Sequence, residues 1–249
     1  MSLTEPTDRR VLVIIPAWNE EGSIGDVITE TRTTCPEVDV LVVDDGSADA
    51  TGAAARKAGA QVCQLPYNLG VGGAMRAGYR YALRHGYDIA VQVDADGQHD
   101  PAYLASLFDG LESADIVIGA RFAGEGEYLA RGPRRWAMVL LAFFLSRIAG
   151  QRLTDVTSGF RAANRRAIAV FADHYPAEYL GDTVESLVIA VRAGCTVKQV
   201  PVSMRVRAAG QASQNAFRST VYLLRAMVAL GLALVRRWPT TLENPPEAA

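Results

Sequence analysis

The sequence predicts an α/β domain with a mostly parallel sheet flanked by helices, and three observations lead there. Short apolar runs rich in β-branched residues alternate with stretches of helical character, the pattern of βαβ units. Most of these runs stop abruptly at a small group of polar residues. In parallel sheets ligands lie outside the carboxyl ends of the strands, so these groups should converge on one cleft. The chain's 249 residues, 49% of them hydrophobic, suffice for one large domain with a sizeable core.

The elements follow in order. Val11 to Ile15 is apolar and β-branched, a buried strand, and the loop Pro16-Ala-Trp-Asn-Glu-Glu-Gly ends it. Ser23 is placed to cap a helix running towards Thr33, and Pro36 follows it. Val38 to Val43 is the second strand, closed by Asp44-Asp45-Gly46-Ser47. Ala48 to Gly59 reads as a helix stopped by glycine, and Ala60 to Leu65 as the third strand. Gly73 to His85 is a helix with Gly86 after it, Ile89 to Val93 the fourth strand, Asp100 to Leu111 a helix and Asp115 to Gly119 a strand.

The second half changes character. Trp136 to Ala149 is apolar and helical, with arginines beside it, and Asp155 to Asn164 reads as a polar loop. Asp182 to Ala193 is a helix ending at Gly194. Val197 to Val206 is strand-like, with Pro201 suggesting a sheet edge or bulge. Thr220 to Val235 is a long apolar helix interrupted by Arg225 and closed by Arg236-Arg237-Trp238. The division expected is a catalytic domain over 8–213, an apolar and basic helix over 214–238 facing a membrane or a partner, and a disordered tail over 239–249.

Charge and composition narrow the function. The net charge of −2 gives no global reason to expect nucleic acid. Cys35, Cys63 and Cys195 are isolated, which fits a reducing compartment and argues against a disulfide framework or a zinc site. The first ten residues lack the apolar stretch of a signal peptide. No run reaches the roughly 18 uninterrupted apolar residues of a spanning helix. No Asp or Glu lies between Glu127 and Asp155, or between Glu185 and Glu243, while arginines recur in both stretches. The second half therefore suits an anionic partner.

The most informative stretch is Val91-Gln-Val-Asp-Ala-Asp-Gly-Gln-His-Asp-Pro101. Asp94, Asp96 and Asp100, with Gln98 and His99 among them, crowd the end of a strand. Neighbouring carboxylates repel unless a cation sits among them, and hard oxygen ligands favour Mg²⁺ or Mn²⁺. Magnesium takes one or two carboxylates and completes its shell with water and phosphates, so the segment proposes a metal–diphosphate site. His99 either serves that site or packs beside it. Asp44-Asp45 offers acceptors for a nucleobase edge or ribose, or simply forms a turn. The cluster Asn68-Leu-Gly70-Val-Gly72-Gly73 lacks the third glycine of a dinucleotide fingerprint, Met75 standing there, and it does not follow a strand directly. Close backbone approach to a sugar nucleotide is the adequate reading.

These residues resemble a known family. Pro16-Ala-Trp-Asn19-Glu20-Glu21, Val43-Asp44-Asp45-Gly46-Ser47, Asn68-x-Gly70, Asp94-Ala-Asp96-Gly-Gln98-His99, Gly119-Ala-Arg121 and Thr157-Ser158-Gly159-Phe160-Arg161 occur in order. As a set covering roughly residues 10–213 they are similar to the family 2 inverting glycosyltransferases, and within these to the polyprenyl-phosphate sugar synthases. The resemblance implies a GT-A fold, a UDP- or GDP-linked sugar donor and Mg²⁺ or Mn²⁺. By position it implies donor contacts from Pro16, Ala17, Asn19, Glu20, Asp44, Asp45, Asn68, Gly70, Asp94 and Ala95, and metal or diphosphate contacts from Asp94, Asp96 and Gln98. Arg121, Ser158 and Arg207 would lie near the transferred sugar and acceptor phosphate. Asp182 and Glu185 stand where relatives carry an acidic base motif, but the usual Glu-Asp pair is absent.

The chemistry agrees. A departing nucleoside diphosphate needs its charge stabilised by metal and arginines. A hydroxyl acceptor needs a general base, whereas a polyprenyl phosphate oxygen is already anionic and needs arginines. The expected reaction is therefore inverting transfer of a sugar to polyprenyl phosphate, with a saccharide or small-molecule hydroxyl as the alternative acceptor. A binding module without turnover and a nucleotidyltransferase are the other classes. Trp136–Ile148 and Val221–Val235, bordered by arginines, are either core helices or interfacial helices for anionic lipid. The expected location is cytoplasmic, peripheral at the inner face of the cell membrane, with a small integral-membrane partner conceivable at those helices.

Overall fold

The computed structural model describes residues 9–121, 133–177 and 182–205. Seven strands form one sheet in the order β3-β2-β1-β4-β6-β5-β7. Strands β1 (Val11–Ala17), β2 (Asp39–Asp44), β3 (Gln61–Gln64) and β4 (Ile89–Gln92) are mutually parallel. β5 (Ile116–Ala120) and β7 (Val197–Pro201) are parallel to each other, and β6 (Arg161–Asn164) runs antiparallel between β4 and β5. The sheet is therefore mostly parallel but mixed.

Successive residues of the central strands feed two cores, as side chains alternate across a pleated sheet. Leu12 and Ile14 of β1 join Leu41, Val43, Ala90, Ile116 and Ile118 on one face. Helices α3 (Gly70–Arg84), α5 (Pro133–Ala149), α6 (Arg165–His174) and α7 (Asp182–Arg192) supply residues to that core. Val13 and Ile15 join Val40, Val42 and Val91 on the other, with residues of α1 (Ile24–Thr34), α2 (Thr51–Lys57) and α4 (Leu104–Gly110). At Gly78 of α3 a Cβ would lie 2.5 Å from the Ile14 side chain, so the missing methyl lets the helix seat directly on β1.

Several expectations need correction. The expected loop from Asp155 to Asn164 ends in β6, whose four residues fill the gap between β4 and β5. α6 follows at once, capped by Asn164, whose Oδ1 accepts from Ala167 N at 3.0 Å. The helix expected from Asp100 begins as a 3₁₀ turn, Pro101–Tyr103, with the Asp100 side chain accepting from Ala102 N at 3.0 Å. Ser23 does not cap α1 with its side chain; its hydroxyl donates to the Glu20 carboxylate at 2.9 Å. The strand expected over 197–206 stops at Pro201 on the sheet edge, and Met204 makes an isolated antiparallel bridge to His99. The expected C-terminal helix, the tail and Arg207 lie outside the described residues, as does the side chain of Trp136.

Candidate active site

The carboxyl ends of β1, β2 and β4 are wired together by side chains that satisfy one another's loops. Asn19, at φ 55°, donates its N–H to Ser47 Oγ at 3.0 Å and accepts from Ala48 N at 2.9 Å through Oδ1. Glu20 N donates to Thr51 Oγ1 at 2.8 Å. Asp44 is buried and accepts from Ser47 N at 3.0 Å. Asp45 is buried too, and its two oxygens accept from Leu69 N (2.7 Å) and Gly70 N (2.8 Å), the entry to α3. That carboxylate fixes the loop and starts the helix three residues before the expected Gly73. Burial raises its pKa, the two N–H donors offset part of the rise, and the neighbouring Asp44 adds to it. Asn68 Oδ1 shares the Gly70 N–H at 3.0 Å. Pro16 and Ala17 line the end of β1, where the Ala17 carbonyl accepts from Asp45 N at 2.8 Å.

The acidic loop after β4 is the centre of the site. Asp94 is half-exposed, and its Oδ1 accepts from the buried Gln92 amide at 3.0 Å. His99 is buried and stacks on Phe160, with ring centroids 4.8 Å apart. Its Nδ1 accepts from Asp94 N at 3.0 Å, so Nε2 carries the proton and faces Asp94 Oδ2 at 3.5 Å. His99 thus orients the Asp94 carboxylate from below. Asp96 is buried and accepts from Gln98 N at 3.0 Å, Ala95 is buried beside it, and Gln98 is half-buried. Arg205 N donates to the Gln98 carbonyl at 3.0 Å, and the Arg205 guanidinium grips Glu30 at 2.7 Å and Asp100 at 2.8 Å. The chain that leads to Arg207 is therefore fastened across this loop.

From the other side the Thr157–Arg161 segment closes in. At Gly159 a Cβ would meet Gln92 Nε2 at 2.8 Å and the Asp94 carboxylate oxygens at 3.4 and 3.5 Å, so the loop backs closely onto Asp94 and a side chain here would push the Gln92 amide aside. Ser158 is buried, its hydroxyl accepting from Phe160 N at 3.3 Å. Arg121 forms a two-pronged pair with the fully buried Asp155, Nε to Oδ2 at 2.7 Å and Nη2 to Oδ1 at 3.1 Å, and also reaches Thr157 Oγ1 at 3.0 Å. Burial alone would raise the Asp155 pKa; the Arg121 and Thr157 bonds and the Arg121 charge outweigh it and hold the carboxyl below its ordinary range. Arg161 is turned inward and buried, donating to the carbonyls of Ser158 (2.7 Å), Val156 (2.8 Å) and Thr183 (2.7 Å). It ties this loop to the first turn of α7, where Asp182 and Glu185 stand. Asp182 has a raised pKa, chiefly through burial, with the Asp94 charge adding to the rise.

The structure thus brings the Asp94–Gln98 loop and the Ser158–Gly159 turn together at the end of β4, with Arg121 on the Thr157 side and Asp182 in the first turn of α7, which Arg161 ties to the Ser158 loop. Asn19, Asp44 and Asp45 are engaged in holding the loops after β1 and β2. Sequence reasoning did not find Asp155, Gln92 or Gly159 as supports. The only signal for Asp155 is its position two residues before Thr157, a spacing suited to a side-chain turn. It also passed over the exposed rings of Trp18 and Tyr67 beside the β1 and β3 ends.

The residues suit a divalent metal by their chemistry. Asp94 and Asp96 are hard oxygen donors on one loop, and like charge accumulates between Asp94 and Asp182. Among the described residues no three His, Cys, Asp or Glu side chains form a ready-made cage. An ion here would rest on one or two carboxylates and complete its shell with phosphate oxygens, the habit of magnesium.

Comparison with known proteins is consistent across the chain. The family described as Glycosyl transferase family 2 matches residues 12–171. The undecaprenyl-phosphate mannosyltransferase of Micrococcus luteus is 35% identical over 213 residues, 83% of this chain and 88% of that protein. The polyprenol monophosphomannose synthase of Mycolicibacterium smegmatis is 33% identical over 216 residues, 81% of this chain and 80% of that protein. A crystal structure of glucosyl-3-phosphoglycerate synthase from Mycobacterium tuberculosis with Mn²⁺, UDP and phosphoglyceric acid aligns with a TM-score of 0.68 at 21% identity, covering 91% of this chain and 78% of that one.

Proposed function

The chain belongs to glycosyl transferase family 2 and is a glycosyltransferase of GT-A fold, and from that premise we propose that it transfers a sugar from a nucleoside diphosphate to the phosphate of a polyprenyl phosphate, with inversion. One observation carries the reading: the loop bearing Ser158 and Gly159 backs directly onto the Asp94 carboxylate, and a guanidinium is held against that same loop. A leaving diphosphate and an attacking anion both need positive charge, and here both sides of the crevice supply or attract it. The two relatives named above, matched over most of their length, carry polyprenyl-phosphate or polyprenol mannose transfer in their names.

In this reading Asp94, Asp96 and Gln98 hold Mg²⁺ or Mn²⁺ against the donor diphosphate. The metal, when bound, supplies Lewis-acid stabilisation of the departing diphosphate. The β1 and β2 loops, with Pro16, Ala17, Glu20, Asp44 and Asp45, shape the nucleoside pocket, and the Trp18 and Tyr67 rings offer it stacking surface. Asn68 and Gly70 bring backbone close to the donor. Arg121, oriented by Asp155, and Arg207, two residues after the fastened Arg205, neutralise the acceptor phosphate and bring its oxygen in line with the anomeric carbon. The phosphate is already ionised, so no base is required. The enzyme works at the inner face of the cell membrane, where such lipids present their phosphate. Among the described residues no helix is long and apolar enough to cross a membrane.

A hydroxyl acceptor is the second reading: Asp182 opens α7, which Arg161 ties to the Ser158 loop, and burial raises its pKa, as suits a general base. The discriminating experiment supplies a panel of radiolabelled UDP- and GDP-sugars with Mg²⁺ or Mn²⁺ and offers polyprenyl phosphate, polyprenol or a saccharide. The lipid-phosphate reading expects an organic-soluble product from polyprenyl phosphate with release of nucleoside diphosphate. A labelled saccharide instead would establish the hydroxyl reading, and release of pyrophosphate would point to nucleotidyl transfer.

A further inference from the structure

The Asp155 carboxylate places the Arg121 guanidinium, and something must place Asp155. The carboxylate is committed to its own neighbourhood: it accepts from Arg121 N, Nε and Nη2 and from Thr157 N and Oγ1. The backbone that carries it runs through an irregular stretch between α5 and β6, outside any helix or strand. The tie comes from β7. Gln199 stands opposite Ile118 of β5, and its side-chain amide reaches the loop. Oε1 accepts from Thr154 N at 2.7 Å and from Thr154 Oγ1 at 3.1 Å, and Nε2 donates to the Asp155 carbonyl at 2.8 Å. The partners fix which way the amide points, since an N–H meets only its oxygen and a carbonyl only its NH₂. One planar group thus grips a donor and an acceptor on adjoining residues, which sets both the position and the orientation of that stretch. Ser146 Oγ accepts from Leu153 N at 2.8 Å, and Arg161 donates to the Val156 carbonyl at 2.8 Å. Those bonds hold the flanks, and Gln199 holds the two residues between them.

We propose that Gln199 is a positioning residue for the acceptor: through the Thr154–Asp155 backbone it sets where Asp155 holds Arg121, and so where the acceptor phosphate lies against the donor. The proposal deepens the lipid-phosphate reading and rests on it for the identity of the acceptor. Asp155 takes the Nε–Nη2 edge of the guanidinium, so the direction in which the rest of that rigid fork faces follows from where Asp155 sits. A misplacement of about 1 Å in a group that aligns reactants can cost on the order of a hundredfold in rate. The loops on the donor side are held by Asp45 and His99 and share none of the Gln199 bonds, so donor binding should be spared.

The test compares Gln199→Leu, Gln199→Glu and Lys198→Gln with the wild type. Leucine keeps bulk and removes every bond of the amide. Glutamate keeps an acceptor for Thr154 and loses the donation to Asp155. Lys198→Gln disturbs the neighbouring position of the same strand, where Lys198 Nζ donates to Ser113 Oγ at 3.0 Å. The acceptor is farnesyl phosphate in solution, and the donor is the nucleotide sugar that the wild type turns over. In Gln199→Leu, kcat/KM for farnesyl phosphate should fall at least about tenfold while donor affinity stays within about twofold. Gln199→Glu should recover part of the loss, and Lys198→Gln should behave as the wild type. Positioning also has a spectroscopic signature. Arg121 Nε–H donates to Asp155 at 2.7 Å, and Arg161 Nε–H donates to the Ser158 carbonyl at 2.7 Å. In proton–nitrogen spectra, Gln199→Leu should speed solvent exchange of the Arg121 proton at least about tenfold and leave that of Arg161 unchanged. An unchanged Arg121 proton overturns the proposal. So does equal quickening of both protons, a donor affinity that falls in step with acceptor efficiency, or a Lys198→Gln enzyme as impaired as Gln199→Leu. If the wild type uses neither farnesyl phosphate nor polyprenyl phosphate, the acceptor reading fails, while the exchange measurement still decides the role of Gln199.

Discussion

The two halves of the sheet hold their polar residues in different ways. In the parallel half, β3-β2-β1-β4, the side chains at the strand ends accept hydrogen bonds from nearby backbone N–H groups: Asp44 from Ser47, Asp45 from Leu69 and Gly70, Asn19 from Ala48, Asp96 from Gln98. In the mixed half the antiparallel β6 is inserted, and whole charges go inside: Asp155 is fully buried against Arg121, and Arg161 is buried among carbonyls. The first half is a set of shaped loops, each bond modest and replaceable. The second is a network in which one missing partner leaves a charge stranded. A donor pocket needs shape and backbone approach. A site meeting an anionic acceptor needs fixed positive charge, and burying the carboxylate that holds the guanidinium fixes it.

The largest expected effect tests whether the crevice between the halves is one site. Asp96→Asn keeps an acceptor for the Gln98 N–H but removes the charge. Turnover should fall at least about a hundredfold, the scale of losing one preorganised electrostatic contact, with the fold intact by circular dichroism. EDTA should silence the wild type likewise, and full activity of the variant with EDTA present would remove the metal from the account.

The contrast in wiring is next, and it is a stability measurement. Arg121→Ala strands the buried Asp155 carboxylate and should destabilise by about 3–5 kcal/mol in denaturant unfolding. Asp45→Asn keeps one acceptor at the entry to α3 and should cost about 1 kcal/mol. Equal losses would erase the distinction drawn between the halves. Acid should separate them too. The folded Asp155 carboxyl lies below its ordinary range, so its stabilisation is complete above about pH 4 and is lost as pH falls through the folded value. In Asp155→Asn, unfolding should show a shallower loss of stability below that point.

The smallest effect has the opposite sign. Asp182 is raised by burial, so its contribution is present below the unfolded value near 4 and lost as pH rises through the folded one. At pH 7 its ionised form opposes folding, and Asp182→Asn should raise Tm there more than at pH 4. A fall in Tm at pH 7 would mean that the carboxylate has a partner stronger than its burial.

Which parts were legible in the sequence follows the same division. Asp44-Asp45-Gly46-Ser47 and Asp94 to His99 are contiguous in the chain, so their grouping could be read directly, as could the strands whose β-branched runs precede them. β6 could not: Arg161-Ala-Ala-Asn164 has no β-branched residue, and it is a strand because β4 and β5 leave a gap of its width. Asn164 is a residue type suited to an N-cap, but the polar run before it reads as loop, so the start of α6 emerges only in the structure. Asp155 and Arg121 are far apart in the chain, and their pairing exists only once β5 and the loop before β6 are side by side. Arg161 occupies a motif position suggestive of substrate, yet the structure turns it inward as a brace. Residue type announced the chemistry; which charges face the crevice and which support it is decided by packing.

The central claim is that the acceptor is itself an anion met by arginines. The most direct test measures transfer to polyprenyl phosphate by Arg207→Ala and Glu185→Gln, with nucleotide-sugar affinity measured on the same preparations. Arg207→Ala should lose transfer by a factor of about a hundred or more, the penalty for unpairing a desolvated charge, while its donor affinity stays close to that of the wild type. Glu185→Gln should lose far less. If Glu185→Gln alone abolishes transfer and Arg207→Ala is silent, the acceptor is activated by a base, and a hydroxyl takes the place of the phosphate.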